Sequence, residues 1–284
     1  ISVGAGPFKS KTDYFLTSAA PEYSEVREGA SLTVGMGLRS FTRLFSGYTY
    51  EIVDSASASA LAAGEADSND ADAGNGATSA NTVTTTTASG TTTYTRTTVN
   101  PPTFDFTLNE GRHVESRFDP TFVFDTVDNP FTPRRGMRVT LESRFAGGPL
   151  GGSVDYLRPE AEWIWYIPVT RRTAIGLRGQ AGYLRPFGAT DVLPYYLRYF
   201  LGGENQIRGV DLRTVGPIDD DNHLIGGNKF VLFNAEYYLD IHPSVRALAF
   251  HDAGQAFDET QRLNLGGLRS SSGLELRVIV PVVN

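Results

Sequence analysis

From Lys229 to Ile241 the chain reads Lys-Phe-Val-Leu-Phe-Asn-Ala-Glu-Tyr-Tyr-Leu-Asp-Ile, and its side chains sort by twos. Val231, Phe233, Ala235, Tyr237 and Leu239 fall on one face; Asn234, Glu236 and Asp240 share the other with Phe230 and Leu232. A period of two defines a β-strand with one dry and one polar face. The pattern recurs. Ile175, Leu177, Ala181 and Tyr183 oppose Arg178 and Gln180; Trp163, Trp165 and Ile167 oppose Glu160 and Glu162; Leu274, Leu276, Val278 and Val280 oppose Glu275 and Arg277. A soluble β-sandwich alternates in the same way, so periodicity alone leaves both architectures open. Length favours a membrane barrel, because these segments approach the roughly 9–11 residues that a tilted membrane strand needs. Aromatics at segment ends (Tyr48 and Tyr50; Trp163, Trp165 and Tyr166; Tyr195, Tyr196 and Tyr199) suit interfacial belts. On this reading Ile175, Leu177, Val231, Phe233 and Leu276 face lipid, and Arg178, Gln180, Glu236 and Arg277 face the lumen. No apolar run reaches about 18 residues, so no helix is expected to cross a membrane.

Strand patterns cover Asp13–Tyr23, Ser31–Arg39, Thr42–Val53, Val114–Phe124, Met137–Phe145, Val154–Val169, Arg172–Leu184, Tyr195–Leu201, Lys229–Ile241, Val245–Phe257 and Ser270–Val282. Ser55 to Pro101 differs in kind: a small-residue run to Ala63, an acidic stretch over Glu65–Asn75, and a threonine-rich stretch over Thr82–Thr98. So little apolar surface cannot offset ordering entropy. The expected organisation is therefore barrel strands in 1–54, a low-complexity extracellular loop in 55–101, which has room for a Thr-rich β-ribbon, and further strands in 102–284. Asp67, Asn69, Asp70 and Asp72 lack the ligand spacing and glycine position of a calcium loop, so no metal is expected there.

Three motifs then fall in order. Phe124-Asp125-Thr126-Val127-Asp128-Asn129-Pro130-Phe131-Thr132-Pro133-Arg134-Arg135-Gly136 ends a strand in a short turn. Leu201-Gly202-Gly203-Glu204-Asn205-Gln206-Ile207-Arg208-Gly209-Val210 lies in a glycine-rich loop that continues through Gly216-Pro217 to Gly226-Gly227-Asn228. Phe250-His251-Asp252-Ala253-Gly254-Gln255-Ala256-Phe257-Asp258 follows the strand that carries Glu236. Together they resemble the BamA-like outer-membrane assembly-factor superfamily, from about Asn100 to Pro281. The resemblance implies a closed antiparallel transmembrane β-barrel, sixteen-stranded in the family, of which about eleven strands are read here. A partial barrel is thus expected, with strands missing at both ends, and the absence of a terminal aromatic at Asn284 fits that. It also implies that the loop at about 202–228 folds into the lumen. Gly202, Gly203 and Gly209 would allow the sharp turn, and Arg208 would meet Glu236 and Asp252. Asp125, Asp128, Asn129, Pro130 and Gly136 would form a periplasmic turn. Where the family usually carries Phe or Tyr, this chain has Val210.

Chemistry of other kinds is not legible. There is no cysteine, so neither disulfide nor thiolate site is possible. Net charge is −7, which disfavours nucleic acid as a partner. No nucleophile elbow, Walker loop or dinucleotide fingerprint occurs, and His251 points away from its neighbour Asp252 by alternation. Gly147, Gly148, Gly151 and Gly152 read as a turn, and Asp219-Asp220-Asp221-Asn222 as a solvated one. No catalytic residue, metal or cofactor is therefore expected. The resemblance implies a non-enzymatic role: folding and inserting β-barrel proteins into the bacterial outer membrane. Its implied partners are outer-membrane lipid, unfolded barrel substrates, periplasmic POTRA domains outside this chain and accessory envelope proteins. Ile1 opens no signal region, so the export signal was removed or the sequence belongs to a longer polypeptide. The alternatives are a two-partner-type secretion pore and a barrel that anchors a separate enzyme domain.

Overall fold

A computed structural model describes residues 1–14, 23–57, 82–87, 90–95, 103–104, 111–220, 223–242 and 244–278. In chain order the strands are β1 (Ser2–Tyr14), β2 (Tyr23–Arg39), β3 (Thr42–Ser57), β4 (Thr82–Thr87), β5 (Gly90–Thr95), β6 (Thr103–Phe104), β7 (Gly111–Asp125) and β8 (Gly136–Ala146). They continue with β9 (Tyr156–Pro168), β10 (Thr173–Tyr183), β11 (Arg185–Pro186), β12 (His223–Leu224), β13 (Lys229–His242), β14 (Val245–Phe257) and β15 (Arg269–Val278). Ten long strands form one antiparallel sheet in the order β1-β2-β3-β7-β8-β9-β10-β13-β14-β15, and the two-residue β11 joins it beside β9 as the eleventh strand. Each long strand pairs with its predecessor in the series, a meander in which long loops at one end alternate with short turns at the other. Among the described residues, β1 and β15 pair on one side only.

The sheet is apolar outside and polar inside, which rules out the sandwich. Leu274, Leu276 and Val278 on β15 are 86%, 62% and 65% exposed, and Phe233, Tyr237, Trp163 and Trp165 are also exposed. A soluble protein does not leave so continuous an apolar face in water; a lipid-facing barrel wall requires one. Register pairs place Ile175, Leu177, Val231 and Phe233 on this outer face, and Arg178, Gln180, Glu236 and Arg277 on the inner one. Among the described residues no helix is long and apolar enough to cross a membrane.

Inside, residues 184–220 and 223–228 fill the long-loop end. Leu184, Leu193, Leu197, Leu201, Ile207 and Val215 are buried against Val53, Tyr156, Phe230 and Leu232 of the wall. The same segment reaches both sides of the sheet: Tyr195 packs 5.6 Å from Tyr23 on β2, while Arg208 pairs with β13, β14 and β15. The sheet must therefore curve around it.

One strand expected from sequence is not there. Tyr195–Leu201 is a 3₁₀ turn followed by isolated bridges (Tyr199 to Gly227, Leu201 to Val215) inside the lumen. Tyr195, Tyr196, Tyr199, Phe200 and Leu201 are all buried, so this run has no wet face and no true alternation. Its tyrosines are consequently core residues and not an interfacial belt. Asp13–Tyr23 straddles the reversal between β1 and β2, which pair from Tyr14 and Tyr23 outward; residues 15–22 lie outside the described set. The strand β1 escaped notice because Gly4, Gly6, Pro7, Lys9 and Lys11 interrupt its apolar pattern. In the 55–101 stretch, β3 runs to Ser57, and β4 and β5 pair as an antiparallel ribbon. Residues 58–81 and 96–102, with the Asp67–Asp72 cluster, lie outside the described residues, as do Asp221, Asn222, Val280 and Pro281.

Candidate functional site: an arginine lock in the barrel lumen

The loop tip owes its shape to three left-handed glycines. Gly202 (φ +115°) passes so close to the Asp211 carbonyl that a Cβ would overlap it, and Gly203 (φ +95°) abuts Leu212. Gly209 (φ +74°) turns the chain immediately after Arg208, in open space. Backbone bonds Gly203 N to Val210 O (2.9 Å) and Gln206 N to Gly203 O (3.1 Å) close the tip. Ile207 anchors it, wholly buried, with Val210 packed against the same cluster. Val210, where the resemblance implies an aromatic, makes this contact with the core.

Arg208 projects into a ring of carboxylates. Its Nε donates to Asp252 Oδ2 and its Nη2 to Asp252 Oδ1, both at 2.7 Å, a bidentate fork reinforced by its backbone N–H at 3.1 Å. Nη1 donates to Glu236 Oε1 at 2.6 Å and to Glu275 Oε2 at 2.9 Å. The guanidinium carbon lies 3.8 Å from the Phe250 ring centroid. Asp252 is fully buried, and its Oδ1 accepts a further bond from Asn234 Nδ2 at 2.8 Å. Arg277 bridges Glu236 (3.0 Å) and Glu275 (2.6 Å), and the Tyr238 hydroxyl donates to Glu236. Five charged groups therefore carry a net charge of −1, from two arginines and three carboxylates. Arg178 holds the approach by donating to Asn205 O at 2.9 Å and Glu162 at 2.7 Å. A cavity of about 200 Å³ remains beside the lock, lined by Arg178, Asn205, Glu236, Tyr238 and Arg277. The chemistry this arrangement displays is charge-assisted bonding in a narrow lumen.

The structure brings Arg208, Gly209, Glu236 and Asp252 together. Gly202 and Gly203 belong to the same loop tip, whereas the turn residues Asp125, Asp128, Asn129, Pro130 and Gly136 lie at the opposite end of the strands. There Asp128 Oδ1 accepts from the N–H groups of Asn129 (2.9 Å), Arg134 (3.1 Å) and Arg135 (3.3 Å), while Asn129 Oδ1 accepts from Phe131 and Thr132. Partial burial alone would raise the Asp128 pKa, but these backbone donors outweigh it and hold the carboxyl below its usual range. Pro130 fixes φ within the turn. Asp125 accepts from Val127 N at 3.0 Å and pairs with Arg138 at 2.8 Å. Gly136 (φ +102°) leaves the turn where a Cβ would overlap the Thr126 carbonyl.

Sequence reasoning missed two features. Glu275 is the third carboxylate of the lock; alternation put it on the polar face, but only the β14–β15 register, Leu248 opposite Glu275, places it beside Arg208. On the other wall, the inward positions of β2, β3 and β7 gather Glu25, Arg27, Glu51, Glu115, Arg117 and Asp119. Arg117 bonds Glu51 and Asp119, Arg27 bonds Glu25 and Glu51, and the Tyr156 hydroxyl donates to Glu115 at 2.9 Å. The Tyr196 ring stacks on Arg27 at 5.2 Å and so ties the loop to this second network. The period-two spacing of Glu25 with Arg27 and of Glu115 with Arg117 was the available signal.

An outward-apolar meander closed at one end by an inward loop, with an arginine forked onto wall carboxylates, defines a membrane β-barrel of the lumen-loop class. The model of the Omp85 superfamily domain matches residues 9–284, and the chain belongs to that superfamily. Curated relatives include the outer membrane protein assembly factor BamA of Nitratidesulfovibrio vulgaris, 30% identical over 172 residues, covering 59% of this chain and 22% of that protein. The BamA of Neisseria meningitidis is 26% identical over 46% of this chain and 17% of its own length. The mouse sorting and assembly machinery component 50 homolog is 25% identical over 45% of this chain and 27% of its own length. Among solved structures, BamA from Haemophilus ducreyi lacking POTRA domains 1–3 superposes with a TM-score of 0.70 at 16% identity, covering 98% of this chain and 53% of that one, a likeness of fold. The matched region spans 17–27% of these curated relatives' lengths.

Proposed function

We propose that this chain is the barrel portion of a bacterial outer-membrane protein assembly factor. It would fold and insert other β-barrel proteins and act together with POTRA domains, unfolded barrel substrates and accessory envelope proteins. The observation that carries the reading is the Arg208 fork on Asp252 with Glu236 and Glu275, in a chain whose curated relatives include assembly factors. The lock supports a physical role and no covalent one: it fixes the loop in the lumen and holds β13, β14 and β15 in one geometry. An arginine in so narrow a space without carboxylates would be a costly buried charge, so the pairing is what permits the loop to enter. A secretion pore of the two-partner type is the second class. It would have to displace the loop, whose buried residues Leu197, Leu201 and Ile207 fill the long-loop end.

The test is replacement of the full-length gene in its own host by an Arg208→Ala allele at matched protein level. Loss of other outer-membrane barrels supports assembly. Normal barrel content with loss of one exported protein would point to secretion.

A further inference from the structure

At the short-turn end, residues 40–41, 126–135 and 169–172 connect strands and carry four arginines against one carboxylate, in a chain whose net charge is −7. A pocket of about 480 Å³ opens there, lined by Arg134, Arg172, Arg246, His242, Asp240 and Thr132 among others. Its built element is Arg246, whose side chain is only 4% exposed. Arg246 Nε donates to Asp240 at 2.7 Å and Nη1 to Pro133 O at 3.2 Å, while among the described residues Nη2 meets no acceptor. Arg134 takes the other Asp240 oxygen at 3.5 Å and donates to Thr170 O at 2.7 Å. Asp240 is thereby shared by two guanidinium groups. Among the described residues the exposed Arg172 guanidinium meets no acceptor. The β13–β14 register breaks between Asp240 and His242, an irregularity of the kind that re-aims side chains beside binding sites. His242 Nδ1 accepts from Ser244 N at 3.3 Å, which leaves Nε2 as the donor of the neutral ring.

We infer that this pocket binds a carboxylate carried by a protein segment, an aspartate or glutamate side chain that approaches the lumen mouth from the turn side of the membrane. Three arginines against a single carboxylate leave two positive charges unneutralised, and guanidinium groups match a carboxylate in two-point geometry. A protein carboxylate is favoured over a lipid headgroup by position. Asp240 and Arg246 share the inner face with Tyr238 and Leu248, whereas the exposed apolar neighbour Leu239 faces the bilayer. In outer-membrane barrels the short-turn end faces the periplasm, so the segment would be periplasmic. The site does not depend on the assembly reading and needs only the barrel.

The test uses the full-length protein in detergent at low ionic strength, where exposed charge pairs are least screened. The probe is a fluorescent peptide with glutamates spaced by glycine; its glutamine counterpart, inorganic phosphate and phosphatidylglycerol bicelles serve as comparisons. Saturable one-to-one binding is expected, weakened by about tenfold in the glutamine peptide and again by about tenfold in Arg172→Gln. Among the described residues the Arg172 side chain makes no hydrogen bond or ion pair, so heat-modified gel mobility should show the variant folded. Equal binding of the glutamine peptide, or no effect of Arg172→Gln, overturns the site. Displacement by phosphate or by bicelles at concentrations similar to the peptide's overturns the protein-carboxylate assignment in favour of a phosphate ligand.

Discussion

Arg208→Ala is the perturbation whose consequence can be followed furthest. The substitution removes five charge-assisted side-chain and ring contacts in one step. Glu236 and Glu275 retain Arg277, so their loss is partial. Asp252 fares worst: fully buried, it keeps only the Asn234 amide and the backbone N–H of residue 208. Breaking a buried pair from one side costs about 3–5 kcal/mol, and this pair is at that level because the surviving partner is the inaccessible one. With a denaturant slope of about 2–3 kcal/mol per molar urea, the unfolding midpoint should fall by roughly 1–2 M. Arg208→Lys should recover about half, since an ammonium cannot fork onto Asp252 while it also reaches Glu236. The assay is urea-dependent loss of heat-modified mobility for the full-length protein in detergent, with intrinsic fluorescence as a second probe. A midpoint unchanged within about 0.3 M in Arg208→Ala would refute the reasoning.

Gly136→Ala should destabilise by about 1–3 kcal/mol, because a Cβ there overlaps the Thr126 carbonyl at φ +102°, whereas Gly209→Ala, at φ +74° in open space, should cost only about 1 kcal/mol; the same urea titration compares them. The folded-state pKa of Asp128 is depressed, so its stabilisation of the 126–135 turn is complete above the ordinary carboxylate pKa and is lost as pH falls through the lower folded value. Protection of the Arg134 and Arg135 amides, expressed relative to their intrinsic exchange at each pH, should therefore be full above the ordinary carboxylate range and fall as pH drops through the lower folded value, with no such step in Asp128→Ala. Tyr196→Ala removes a buried ring from the lumen cluster and from Arg27; a loss of about 3 kcal/mol is expected, with raised protease access to residues 184–228.

Legibility followed range of interaction. Alternation within one strand gave the orientation of Glu236 and Asp252, and the glycines around Arg208 announced a tight loop, because both are local properties. Glu275 was on the right face, but its contact with Arg208 depends on the β14–β15 register, which no local pattern encodes. The Tyr195–Leu201 run carried strand-like residues; burial on all sides by the curved sheet, a tertiary fact, turned it into loop and core. The Glu25–Arg27–Glu51–Glu115–Arg117 network needed five partners from three strands, so no single stretch revealed it.

The loop's position in the lumen can be measured directly by thiol crosslinking, since this chain has no cysteine of its own. The Asn234 side chain donates to Gln206 O at 2.7 Å, so cysteines at 206 and 234 should lie within the span of a short bifunctional thiol crosslinker in the folded barrel. If the loop is braced in place while the protein works, crosslinking of the full-length double variant in native membranes should join 206 to 234 in most molecules, and new barrels should still reach the outer membrane. Cysteines that stay unjoined and freely labelled from outside would contradict the lumenal lock, and a trapped protein that stops assembling barrels would contradict a loop that stays braced.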